Sequence, residues 1–211
     1  MVANVKDKAV IVGIGNTTFS KDSGVSELSL AVQAVKAAID DAGLKPSDID
    51  GMATFTMDTN DEIEVARALG VGELTFYGRS HYGGGAATSC LHQATMAVAT
   101  GMAETVVVYR ALNGRSGHRF SGGVSGDITT ADAIHWGWYM PYGLLTPASW
   151  VAMFTQRWMH NTGVTKDALF EVAQSTRVYG ANNPAAFFYG REFDRAEYDA
   201  ARMIADPLQL F

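Results

Sequence analysis

The chain has a single cysteine, Cys90, among its 211 residues. That excludes an internal disulfide framework and a cysteine-built zinc site, since either needs several thiols. No pair of histidines stands at metal-ligand spacing, so no metal is expected. Basic residues are also scarce: 16 lysines and arginines face 22 aspartates and glutamates, a formal net charge of −6. Because those cations are not gathered anywhere, no face is built to neutralise a run of phosphates, and nucleic acid is not an expected partner. Long apolar runs are missing too. None reaches the ~20 residues that cross a bilayer, and the opening MVANVKDKAVIVG lacks the basic-then-apolar order of a secretory leader. A cytoplasmic protein without direct membrane contact is the expectation. What remains, 47% hydrophobic and 18% charged, is the composition of an ordinary globular domain with one real core.

Hydrophobic periodicity then sets the fold class. Residues 9–15, AVIVGIG, form a continuous run rich in β-branched side chains, the pattern of a strand buried on both faces. Leu28, Ala31, Val32, Val35, Ala38, Ile39 and Ala42 follow at helical spacing, with Ser26 placed to cap the start and Gly43 to end the helix in the left-handed conformation. LKPSDID at 44–50 turns into a strand near 51–57; a helix is expected over 61–69 and a third strand over 74–78. A helix of small and apolar residues spans 86–100, closed by Gly101, and TVVVYRA at 105–111 is another buried-strand run. Four strand-helix alternations in about a hundred residues specify an α/β layered fold, its sheet mostly parallel and its crossovers right-handed.

After Ala111 the texture changes. Residues 112–146, including NGRSGHRFSGGVSGD and HWGWYMPYG, hold neither period and are too aromatic for a solvated tether. They read as a loop lobe inserted over a pocket, between a core at 1–111 and a helical continuation of the same domain at 147–211. Helices are expected over 148–161, ended by Gly163, over 166–179, and over 195–205, where Asp194 and Glu197 form a capping-box-like start and Pro207 blocks continuation.

Several residues invite chemistry. Gly83, Gly84 and Gly85 open the 86–100 helix; they either cradle a substrate oxygen at its N-terminus or allow positive φ and close packing. Gly13 and Gly15 match part of a dinucleotide fingerprint, but Thr18 replaces the third glycine and no helix follows at once, so no nucleotide cofactor is expected. His118, His135, Tyr139 and Tyr142 stand in the lobe as acid-base or pocket candidates, or as its own small core. His81, His92 and His160 read as structural, and Arg110, Arg115 and Arg119 as surface arginines or as phosphate contacts. Cys90, nearly two turns into the helix among small residues, reads as a buried core thiol.

VGIGNTTFSK, LKPSDID, the 83–88 turn, NNPAAF and ARMIADPLQLF together resemble the thiolase superfamily, and within it the branch of sterol carrier protein X and the lipid-transfer-protein-type aldolases of bacterial steroid side-chain breakdown. The tail is the more specific part, because Asn183-Pro184 and residues 204–208 are distinctive of that branch. The resemblance covers essentially the whole chain and implies a thiolase-like fold of which this is the N-terminal half. A last strand and a second, similar half are expected to follow. Aligned backward from GMAE at 101–104, it places the family's nucleophilic cysteine at Gly84 or a neighbour, where no thiol stands. Claisen condensation and thiolysis need a covalent acyl-enzyme; aldol cleavage does not. The resemblance therefore implies a retro-aldolase acting on a steroid side-chain CoA ester, with the thioester as substrate and no further cofactor. Its acid-base residues are expected mainly in the second half, with His118 and Tyr142 as candidates here, and Gly83 to Gly85, Tyr139 and Tyr142 as substrate contacts. Two alternatives stand beside it: a non-catalytic acyl-CoA or partner-binding subunit, and an acetyl-CoA acetyltransferase-type thiolase. The resemblance also implies a homodimer through the strand around 74–82 and a small OB-fold, acyl-CoA-associated partner. For that partner, Trp136, Trp138, Tyr139 and Tyr142 offer an aromatic face.

Overall fold

The computed structural model describes residues 5–55, 60–80, 85–116 and 137–211. The chain forms two compact units, residues 1–120 and 121–211.

The first unit is α/β: a three-stranded parallel sheet flanked by helices. Helix α1, Glu27–Asp41, starts where the Ser26 side chain accepts the Ser29 N–H, and buries Ala31, Val35 and Ile39, four residues apart. A 3-10 turn at Pro46–Asp48 follows; the Asp48 carboxylate accepts the Lys45 N–H at 2.8 Å. Strand β1, Gly51–Phe55, lies between β2, Phe76–Ser80, and β3, Val106–Val108, both parallel to it. The Asp50 carboxylate accepts the N–H groups of Glu104 and Thr105 at 2.8–3.0 Å, which sets the register of β1 against β3. Helix α2, Glu62–Leu69, connects β1 to β2, and α3, Ala86–Thr100, connects β2 to β3.

Pleat parity assigns the layers. Gly78 is the register partner of Ala53, and a side chain at Gly78 would meet Gln93 of α3, so these positions face α3. Met52 points the other way, into the main core with Ala31, Val35 and Ile39 of α1 and Val65 and Ala66 of α2. Gly43 and Gly101 take φ of +68° and +73°, the left-handed conformation read from their places behind helices.

Residues 9–15 depart from expectation: they enter no ladder. Gly13 and Gly15 lie directly on the backbone of α1, where an added Cβ would stand 2.3 Å from the Ala38 and Ala34 carbonyl oxygens. The Ile14 N–H donates to the Asp41 carboxylate at 2.9 Å. Val10, Ile11 and Ile14 are 82%, 76% and 77% exposed. The sequence has the composition of a buried strand, but among the described residues no strand lies beside it to supply a ladder.

The second unit has helices α4, Pro147–Thr162, α5, Lys166–Asn182, and α6, Arg195–Ala200, and a two-stranded antiparallel hairpin, β4 Met203–Ala205 with β5 Leu208–Gln209. The expected helix over 195–205 stops at Ala200; residues 203–205 pair as β4 instead. The local helical pattern lost to a cross-strand partner that no periodicity reveals. Its start is as read, with the Asp194 side chain accepting the Glu197 N–H at 2.8 Å. Phe170, Phe193, Tyr198 and Phe211 pack edge-on and stacked, with ring centroids 4.3–6.3 Å apart. Among the described residues no helix is long and apolar enough to cross a membrane.

Candidate active site

Three parallel strands end on one edge of the sheet, and in open α/β sheets that carboxyl edge is where ligands bind. Here it carries a set of buried polar groups. Thr54, on β1, is buried and its hydroxyl donates to the Tyr109 carbonyl at 3.3 Å, one residue beyond β3. The Tyr109 hydroxyl donates to the Asn60 carbonyl at 3.3 Å. Asn60 is 3% exposed, and among the described residues its side-chain Nδ2 has no hydrogen-bond partner. Ser80, the last residue of β2, is buried and receives the Gln93 amide N–H at 3.4 Å.

Arg79 binds the segment after Asn60. Its Nε and Nη2 reach the Glu62 Oε2 at 2.8 and 2.6 Å, and Nη2 also reaches Asp61 Oδ1 at 2.7 Å. Hydrogen bonding to Glu62 raises the Arg79 pKa above its ordinary value, against the opposing effect of burial. The chain joins Asn60 to Glu62 with β1, the Arg79 fork joins them to β2, and the Tyr109 hydroxyl joins them to the end of β3. Arg110 lies over the Phe55 ring, 4.6 Å from its centroid.

A cleft of about 440 Å³ adjoins the β3 end, lined by residues including Gly15, Asn16, Phe19, Arg110, Asn113 and Arg115. Its mouth is tied by the Ser116 hydroxyl, which accepts the Ser23 N–H at 3.3 Å, and by the Asn113 amide, which donates to the Val25 carbonyl at 3.3 Å. Arg110 and Arg115 both line this cleft.

Cys90 is 2% exposed, and its thiol donates to the Thr54 carbonyl at 3.2 Å. It is a core thiol, closed in on the α3 side of the sheet. Gly85 has φ −83° and ψ −5°, and an added Cβ there would meet nothing within 4 Å. Among the described residues, neither left-handed backbone nor tight packing therefore explains a glycine at this position. Gly83, Gly84, His81, His118, His135, Arg119 and Trp136 lie outside the described residues. His92 and His160 are exposed.

In the second unit, Tyr139 packs edge-on against Trp150 at 5.1 Å, so this lobe residue contributes to a local core. Met140–Tyr142 forms a 3-10 turn closed by Gly143 at φ +74°, and it leaves Tyr142 81% exposed. Trp138 is likewise exposed. Among the described residues, no group of three or more His, Cys, Asp and Glu is placed to hold a metal ion.

Sequence reasoning missed Asn60, Thr54, Tyr109 and the Arg79 fork. An arginine inside a β-strand run, and NDE at the start of a helix, were the available signals. Neither says that residues 60–62 and 79 meet.

No family model matches the chain. It is 53% identical over 204 residues to a steroid side-chain-cleaving aldolase of Thermomonospora curvata, covering 96% of this chain and 52% of that protein. It is 52% identical over 206 residues to a 17-hydroxy-3-oxo-4-pregnene-20-carboxyl-CoA lyase of Mycobacterium tuberculosis, covering 96% of this chain and 53% of that protein. A benzoylsuccinyl-CoA thiolase subunit BbsB of Thauera aromatica is 30% identical over 214 residues, covering 96% and 51%. Among solved structures, a chain of an Ltp2-ChsH2(DUF35) aldolase superposes with a TM-score of 0.84 at 52% identity, over 95% of this chain and 50% of that one. The chain spans about half the length of the curated relatives it matches.

Proposed function

We propose that this chain forms the N-terminal half of a retro-aldolase that cleaves a β-hydroxyacyl-CoA, a steroid side-chain CoA ester, to a ketone and a short acyl-CoA without a cysteine nucleophile. The observation that carries the reading is identity of 52–53% over 96% of the chain to a side-chain-cleaving aldolase and a carboxyl-CoA lyase. In the substrate named for the second, the 17-hydroxyl stands β to the thioester carbonyl, the arrangement that retro-aldol chemistry needs. A base takes the hydroxyl proton, the Cα–Cβ bond breaks as the carbinol carbon becomes a ketone, and the electron pair passes into the thioester as an enolate. Hydrogen-bond donors hold that enolate until an acid protonates Cα.

Cys90 supports this route over thiolysis. Its sulfur is engaged with the Thr54 carbonyl inside the core, out of reach of a substrate thioester. Partners belong to the same proposal. The structural similarity to a chain of a two-protein aldolase supports a second, small protein, which we place at the aromatic lobe of residues 112–146. We further propose a homodimer through β2, an edge strand of the sheet whose Tyr77 is exposed.

The test is to incubate the full-length protein, alone and with its partner, with the 17-hydroxy steroid CoA ester and follow ketone and acyl-CoA by mass spectrometry. Cleavage undiminished in Cys90→Ala is expected. An acyl adduct on Cys90, or loss of turnover in that variant while it stays folded, would sink the cysteine-free mechanism.

A further inference from the structure

We draw no further inference here: the strongest candidate, the exposed apolar surface patch of Val10, Ile11, Val12 and Ile14 that Gly13 and Gly15 hold against α1, carries nothing, because among the described residues nothing shows what covers it.

Discussion

Removing the Arg79 guanidinium tests whether the carboxyl edge of the sheet is held together as described. In Arg79→Met the stem is kept and the fork is lost, leaving the Glu62 side chain, 11% exposed, without its partner. Removing one member of a fully buried pair costs about 3–5 kcal/mol, whereas an exposed pair is worth about 0–1 kcal/mol. Arg79 itself is 41% exposed, so solvent screens the pair and the cost belongs between these limits, at about 2 kcal/mol. For a chain of this size that is a fall of about 4–8 °C in the melting midpoint. Urea unfolding at pH 7 of Arg79→Met, Glu62→Met and the double variant measures the coupling directly. The double variant should recover most of the loss, since no uncompensated carboxylate remains. A single variant within about 0.5 kcal/mol of wild type, with no coupling in the cycle, would refute the claim that this ion pair fixes the Asn60 to Glu62 segment.

Other expectations test separate parts of the molecule. Gly15→Ala should destabilise the first unit by about 1–3 kcal/mol, because the new Cβ would stand 2.3 Å from the Ala34 carbonyl oxygen. Gly85→Ala, with open space around it and an ordinary φ, should leave the unfolding midpoint unchanged. Burial raises the Tyr198 pKa above its ordinary value of 10.0. The stability it supplies is then complete below pH 10 and lost as pH rises through the higher folded value, so Tyr198→Phe should flatten the alkaline side of the second unit's stability profile. If β2 pairs two copies, Tyr77→Lys should shift the sedimenting species from dimer to monomer at tens of micromolar. A wild type that sediments as a monomer while natively folded would remove that proposal.

Much of the architecture was legible because it is decided within a few residues. Ser26 and Asp194 cap helices through their own side chains, and glycines at 43, 101 and 163 end helices because they alone enter left-handed φ without strain. LKPSDID is legible for the same reason: Asp48 closes its own turn. Of the two continuous apolar runs that announced a parallel sheet, the one at 105–111 carries a strand, Val106–Val108, and the one at 9–15 does not. The lone cysteine's burial followed from its small neighbours in α3.

What tertiary structure alone decided involves partners far apart in the chain. Residues 9–15 carry a strand's sequence, yet whether a strand forms depends on a neighbour, and here Gly13 and Gly15 spend their closeness on α1. Residues 203–205 follow a helix by pattern and become β4 because Leu208 and Gln209 fold back onto them. At the candidate site, Asn60 meets Tyr109 across 49 residues, Arg79 meets Glu62 across 17 and Cys90 meets Thr54 across 36. Side-chain type and local period are properties of the sequence itself. Burial of a donor without an acceptor is a property of the whole arrangement, because it exists only when every surrounding segment has taken its place.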